Sequence, residues 1–208
     1  VGRAAGKDRL VLLGSTGSNY GASVDIVCTE ETPLTPLSLY GKTKTMGEMC
    51  LRENNRTIAY RFAAGFGASP RLRLDLLVNG FLHKTVSESY LVVYEPHFMR
   101  TFIHVYDIAR SFLFAIQNAD RTVGEVYNIG SEDMNYSKAE VCQKTRERVP
   151  YYLHYADVGE DQDKSNYFVS YEKASRPGYH TTISVEEGID ELVRTMAIVD
   201  GGNPYSNV

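Results

Sequence analysis

Tryptophan is absent from this chain, cysteine is scarce, and no apolar run comes near the ~20 residues that a membrane-spanning helix needs. The last absence excludes a helical membrane span, so no membrane partner is expected. Cys28, Cys50 and Cys142 are odd in number and widely spaced. A disulfide scaffold or a zinc site needs closer, paired spacing, so these read as reduced thiols in or near a core, with no metal site. The opening VGRAAGKD has no charged segment leading into an apolar one, so no signal peptide is expected and the location reads as cytoplasmic. Basic residues are not in excess either. Lys and Arg total 22 against 26 Asp and Glu, for a formal charge of −4. Nucleic-acid binding leaves a basic footprint, and its absence argues against that partner.

With 43% hydrophobic and 23% charged residues among 208, the composition is that of an ordinary globular protein. The length suits one domain plus a small lobe. The 15 tyrosines are expected mostly to pack with a wet hydroxyl, with at least one available for chemistry. Short apolar runs at 9–13 (RLVLL), 57–62 (TIAYRF), 90–94, 100–103 and 126–129 read as strands. Helical spacing marks 38–54, 73–88, 105–118, 137–148 and 184–199, with Ser38 as a candidate N-cap behind Pro36. Residues 22–37, with Pro33 and Pro36, read as loop. The polar stretch 157–166 reads as an exposed loop. Strands alternating with helices predict an α/β fold with a largely parallel sheet.

Tyr40 and Lys44, in YGKTK, lie one helical turn apart and share a face. An ammonium beside a phenol stabilises the deprotonated phenol. Such a tyrosine can take a proton from a sugar hydroxyl while hydride leaves the same carbon, and the lysine can bond a cofactor ribose. Taken alone, the pair reads equally as an exposed helix pair. Its context is Ser15-Thr16 in LLGSTGSNYG, at the end of an apolar strand, where open α/β sheets bind ligands. The small residues Gly14, Gly17 and Gly21 admit a ligand close to the backbone or make a tight loop. His104 reads as structural, and Asp107 as the cap of the helix beginning near it.

The runs VLLGSTGSNYG, SLYGKTK, YRFAAGFG, RTFIHVYDIA and VYNIG, in this order, resemble the extended short-chain dehydrogenase/reductases. Among these they are most similar to the NAD-dependent nucleotide-sugar epimerases and dehydratases of the UDP-galactose 4-epimerase type. The resemblance implies the C-terminal portion of a Rossmann-like doubly wound parallel sheet plus a small α/β substrate-binding lobe. Residues 1–70 would be the remainder of the NAD-binding domain. Residues 71–208 would be mainly the substrate lobe, with segments around 100–130 returning to the Rossmann core. It implies Thr16, Tyr40 and Lys44 as catalytic residues. NAD would be held by Ser15, Tyr40, Lys44 and the backbone near Ala63. The nucleotide-diphosphate sugar would meet Thr16, Asn79, Tyr94 in the base-side pocket at 92–94, and Arg100, whose planar fork suits phosphates. Arg100 as a surface ion-pair residue and Asn79 as a polar helix position are the plainer readings. A homodimer through the 38–54 helix, with Leu39, Met46, Met49 and Cys50 on a second face, is also implied.

Three departures from the family pattern bear on these expectations. No G-x-x-G-x-x-G follows a strand, so the pyrophosphate cradle is missing and the chain reads as a fragment beginning inside the helix before the family's fifth strand. Ala64 stands where many relatives place an asparagine that meets substrate. An arginine is expected near Ser165. Relatives that dehydrate follow the catalytic threonine with an acidic pair, and here Gly17 and Ser18 follow Thr16. The reading is therefore an epimerase transferring hydride at the sugar C4. The alternatives are an oxidase, reductase or dehydratase releasing a keto sugar, or a non-catalytic sugar-nucleotide-binding remnant.

Overall fold

The computed structural model describes residues 8–53, 56–157, 159 and 166–198. In chain order the strands are β1 (Val11–Thr16), β2 (Ala22–Cys28), β3 (Thr57–Phe62), β4 (Ala64–Phe66), β5 (Tyr90–Tyr94), β6 (Met99–His104), β7 (Val126–Ile129), β8 (Asn135–Ser137), β9 (Tyr152–Ala156) and β10 (Asn166–Val169). The helices are α1 (Leu39–Arg52), α2 (Leu77–Glu88), α3 (Val105–Gln117), α4 (Ala119–Thr122), α5 (Lys138–Arg146), α6 (Glu172–Ser175) and α7 (Val185–Met196). Short 3-10 turns lie at Gly17–Tyr20 and Glu132–Met134.

β1, β3 and β7 form a parallel sheet in the order β1-β3-β7. β3 takes the centre because TIAYRF can be buried on both faces: Ile58, Ala59 and Tyr60 are all fully buried. Its register pairs Thr16 with Phe62 and Phe62 with Ile129. The three strands therefore end level, at one carboxyl edge. Tyr60, Phe62, Phe112 and Tyr127 pack edge-on or tilted on one another beneath α3. Among the described residues, the outer edge of β1 pairs with no further strand.

α1 starts where its sequence says it should. Ser38 Oγ accepts from the Gly41 amide at 3.0 Å. Gly41 is needed there, because a Cβ would approach Pro36 to 3.0 Å and the Ser18 carbonyl to 3.2 Å. The first turn of α1 thus lies directly against the 17–20 turn.

A second group of elements surrounds a separate core of Phe66, Leu82, Phe102, Val141, Ile189 and Leu192. Here β4 pairs with β6 in parallel and β6 with β8 antiparallel. β5 pairs with β9 in parallel over a third cluster of Leu91, Val93, Cys142 and Tyr151, while β2 pairs with β10 in parallel against the first core, through Cys28, Tyr167 and Val169. α5 and α7 each begin with a reciprocal capping box, Ser137 with Glu140 and Ser184 with Glu187.

Three expectations are corrected. Residues 22–37 are not all loop: 22–28 form β2, paired with β10 some 140 residues later, a partner that no local pattern announces. Asp107 is not the cap of α3. His104 is, with Nδ1 accepting the Tyr106 amide at 3.2 Å. The fully buried Asp107 carboxylate instead receives the amides of Thr182 and Ile183, the Thr182 hydroxyl and Arg110, tying the approach to α7 onto α3. Helix 73–88 also starts later, at Leu77, behind an exposed Arg73–Asp75 pair. The position near Ser165 lies outside the described residues, as do most of the opening VGRAAGKD and of the stretch 157–166. Among the described residues, no helix is long and apolar enough to cross a membrane.

Candidate active site

The carboxyl edge of the sheet and the first three turns of α1 build the site. Lys44 Nζ donates to the carbonyl of Gly14, near the end of β1, at 2.8 Å. It also lies 5.7 Å from the centre of the Tyr40 ring. An ammonium has three N–H donors, and Gly14 takes one, which leaves donors for a ribose hydroxyl. Tyr40 is 54% exposed, whereas Thr16 is 8% exposed. The Thr16 hydroxyl caps the 17–20 turn, accepting from the Ser18 amide at 3.2 Å, and keeps its own proton available to donate. The helix that carries Tyr40 and Lys44 packs through Gly41 on that same turn.

Ser15 lies beside Thr16, but its hydroxyl turns inward and donates to Glu48 Oε2 at 2.8 Å. Ala63 follows β3 at the same edge, with its amide donated to Ile129 at 2.9 Å. Ala64 opens β4 opposite Phe102.

The other expected residues lie in the second group of elements. Asn79, 2% exposed, spends its side-chain amide on one residue: Oδ1 accepts the Gly67 amide at 3.1 Å and Nδ2 donates to the Gly67 carbonyl at 3.3 Å. Gly67 has φ of +113°, and a Cβ there would lie 2.2 Å from His104 Nε2. His104 in turn bonds Glu191 at 2.7 Å, and Glu191 also receives the Ala68 amide. His104 and Asn79 together clamp the loop that leaves β4. Arg100 and Lys138 both lie over the Phe98 ring. Lys138 Nζ donates to the Tyr94 carbonyl at 2.9 Å and stacks on the Phe98 ring at 5.4 Å. The Arg100 guanidinium lies 6.0 Å from the same ring and donates to the Met99 carbonyl.

Sequence reasoning missed Glu48, Arg61 and Lys138. Arg61 and Glu48 form an ion pair at 2.5 Å with both side chains at most 3% exposed. The Arg61 guanidinium also donates to the Tyr20 hydroxyl at 3.0 Å and to the Glu30 carbonyl at 3.1 Å. Tyr20 passes its own proton to Asn128 Oδ1 at 2.6 Å. Burial drives the Tyr20 phenol up to about 12 despite the guanidinium beside it. Burial works against the Arg61 charge, yet its bonds to Glu48 and Tyr20 hold its pKa above the ordinary value. The signal was present: Glu48 follows Lys44 by one turn and Tyr40 by two, and Arg61 interrupts an apolar strand. Lys138 likewise shares the buried stripe of Val141, Cys142 and Thr145 on α5.

Residues 1–130 match the NAD dependent epimerase/dehydratase family, and the chain belongs to that family. A low-salt glycan biosynthesis protein of Haloferax volcanii is 28% identical over 187 residues, 86% of this chain and 59% of the relative. A UDP-glucose 4-epimerase of Arabidopsis thaliana is 24% identical over 222 residues, 94% of this chain and 62% of the relative. The chain thus spans about three fifths of the length of the curated relatives it matches. The structure of UDP-glucuronic acid 4-epimerase from Bacillus cereus, in complex with UDP-glucuronic acid and NAD, superposes with a TM-score of 0.77 at 22% identity. That match covers 90% of this chain and 61% of the other. The likeness is one of fold: the Rossmann-type α/β architecture with parallel sheets.

Proposed function

We propose that this chain supplies the catalytic and substrate-binding part of an NAD-dependent nucleotide-sugar epimerase acting at C4 of an NDP-hexose. The observation that carries the reading is the Lys44–Gly14 bond, which ties the helix of Tyr40 and Lys44 to the strand that ends in Thr16. NAD, when bound, supplies the hydride acceptor and returns the hydride. Tyr40 is the base toward the C4 hydroxyl, and Thr16 hydrogen-bonds the same oxygen. Lys44, which lies against the Tyr40 ring, bonds a ribose hydroxyl. Ala63 lines the nicotinamide end, and Ser15 contributes through its place near the end of β1. Tyr94 and Arg100 bind the nucleotide diphosphate, and Asn79 serves the substrate side through the Gly67 loop it holds. The exposed Leu39, Met46 and Met49 of α1 support a homodimer through that helix, and the free thiols of Cys28, Cys50 and Cys142 support a cytoplasmic location.

The test mixes the full-length protein and NAD with UDP-glucose, dTDP-glucose and UDP-glucuronic acid in turn. The reduced nicotinamide is followed by absorbance and the products by NMR. A C4 epimer with no net NADH is expected. An accumulating keto sugar replaces the epimerase by an oxidase or dehydratase. No hydride transfer to NAD from any of the three overturns the reading.

A further inference from the structure

We propose that Glu48, gripped by Arg61, is a positioning residue for hydride transfer, because one buried carboxylate sets both halves of the catalytic face. The inference rests on the roles proposed above for Tyr40, Lys44 and Thr16.

Tyr40, Lys44 and Glu48 are spaced by four residues, and each step turns about 40° around an α-helix. The three residues accordingly pass from open to buried: Tyr40 is exposed, Lys44 half-buried and Glu48 2% exposed. Glu48 is the inner end of the row whose outer end does the chemistry. Its carboxylate bridges two strands. Ser15 on β1 and Arg61 on β3 are register partners. Oε2 accepts the Ser15 hydroxyl at 2.8 Å, and the Arg61 Nε reaches both oxygens at 3.2 Å. Asn19, inside the turn capped by Thr16, donates to Ser15 Oγ at 3.0 Å and to Glu48 Oε2 at 3.4 Å. One group therefore holds α1 against both strand ends and also holds the turn that orients Thr16. The Lys44–Gly14 bond lies one helical turn away and one strand residue earlier, so a shift of Glu48 carries Lys44 and Tyr40 with it.

Stability alone gives little reason for this arrangement. Two charges lose their hydration on burial, and a well-packed apolar pair of similar volume is often as stable or more so. What an apolar pair cannot do is fix direction. The carboxylate with its hydrogen bonds sets the height of α1 along β1 to a fraction of an ångström, and oriented reactions lose on the order of 100-fold in rate for a displacement of ~1 Å.

The experiment compares wild type with Glu48→Asp, Glu48→Gln and the apolar pair Glu48→Met/Arg61→Met in the full-length protein. It uses whichever of UDP-glucose, dTDP-glucose and UDP-glucuronic acid reduces NAD in wild type. Three quantities are read: the single-turnover rate of NADH formation, the NAD dissociation constant and the Tm. Rates are normalised to NAD-binding sites, so unfolded protein does not count. Glu48→Asp keeps the charge but withdraws it by one methylene. Its normalised rate is expected to fall at least about tenfold, with NAD affinity within about threefold of wild type. The apolar pair is expected to recover Tm relative to Glu48→Gln without recovering rate. A normalised Glu48→Asp rate within about threefold of wild type overturns the proposal, as does a rate that returns with Tm in the apolar pair. Tyr40→Phe runs in parallel. If it reacts like wild type, the catalytic reading has failed at its root, and that failure is distinct from an unaltered Glu48→Asp. If no sugar reduces NAD in wild type, this inference falls with that reading.

Discussion

Lys44 Nζ reaches back from α1 to the carbonyl of Gly14 at 2.8 Å, joining the helix that carries Tyr40 to the strand that delivers Thr16. Two residues 30 positions apart thereby tie a helix to the carboxyl end of a parallel strand. That edge is where open α/β sheets place their ligands. The predictions below follow from this junction and from the elements that brace it.

Tyr40→Phe should lower hydride transfer to NAD by at least about 100-fold, the usual share of a general acid–base group. The ring is 54% exposed, so losing its hydroxyl should leave the fold intact and the Tm close to wild type. Turnover near the wild-type level, measured as formation of the C4 epimer by NMR, would remove Tyr40 from the mechanism.

Met46 and Met49 are 65% and 63% exposed on α1. If α1 is the dimer seam, Met46→Glu with Met49→Glu buries two charges against their symmetry mates, which is strongly unfavourable. Light scattering at micromolar concentration should find a dimer for wild type and a monomer for the variant. A wild-type monomer, or a variant that still dimerises, would move the interface elsewhere.

Asp107 gives a pH dependence of defined sign. Burial acts to raise its pKa, but the amides of Thr182 and Ile183, with Arg110, outweigh that and hold it below the ordinary aspartate value. A depressed pKa means that the ionised carboxylate stabilises the fold above the unfolded value and loses that contribution as pH falls through the folded one. The Tm of wild type should therefore drop below about pH 4, and this share of the drop should vanish in Asp107→Asn. At neutral pH the variant should melt roughly 4–8 °C lower, from loss of charge-assisted hydrogen bonds worth ~2 kcal/mol. Parallel pH–Tm curves for the two proteins would show that Asp107 is not the acid-sensitive tie.

Gly67→Ala should be destabilising by roughly 2 kcal/mol or more, since a side chain at positive φ is strained. A Cβ at φ of +113° would also press on His104 at 2.2 Å, displacing it from Glu191. Because Asn79 bonds both backbone groups of Gly67, looser substrate binding should accompany the lower Tm. An unchanged melting curve would show that the clamp on this loop is not needed.

The sequence by itself determined the α/β class and several elements to the residue. β3, β5 and β7 fall at 57–62, 90–94 and 126–129 as read, because short apolar and β-branched runs carry their own signature. Ser38 announced α1 because an N-cap is a local hydrogen bond. Tyr40 and Lys44 share a face because helical periodicity alone requires it. Tertiary structure alone decided what local chemistry does not encode. β2 exists because β10 pairs with it across some 140 residues. His104 rather than Asp107 caps α3, since the residues around Thr182 claim the carboxylate. Glu48 and Arg61 read as ordinary charges of a helix and a strand until packing withdraws both from water. Once water is gone, each must bond whatever the fold brings within reach, and what it brings is Ser15 at the end of β1, with Asn19 and Tyr20 of the turn that Thr16 caps.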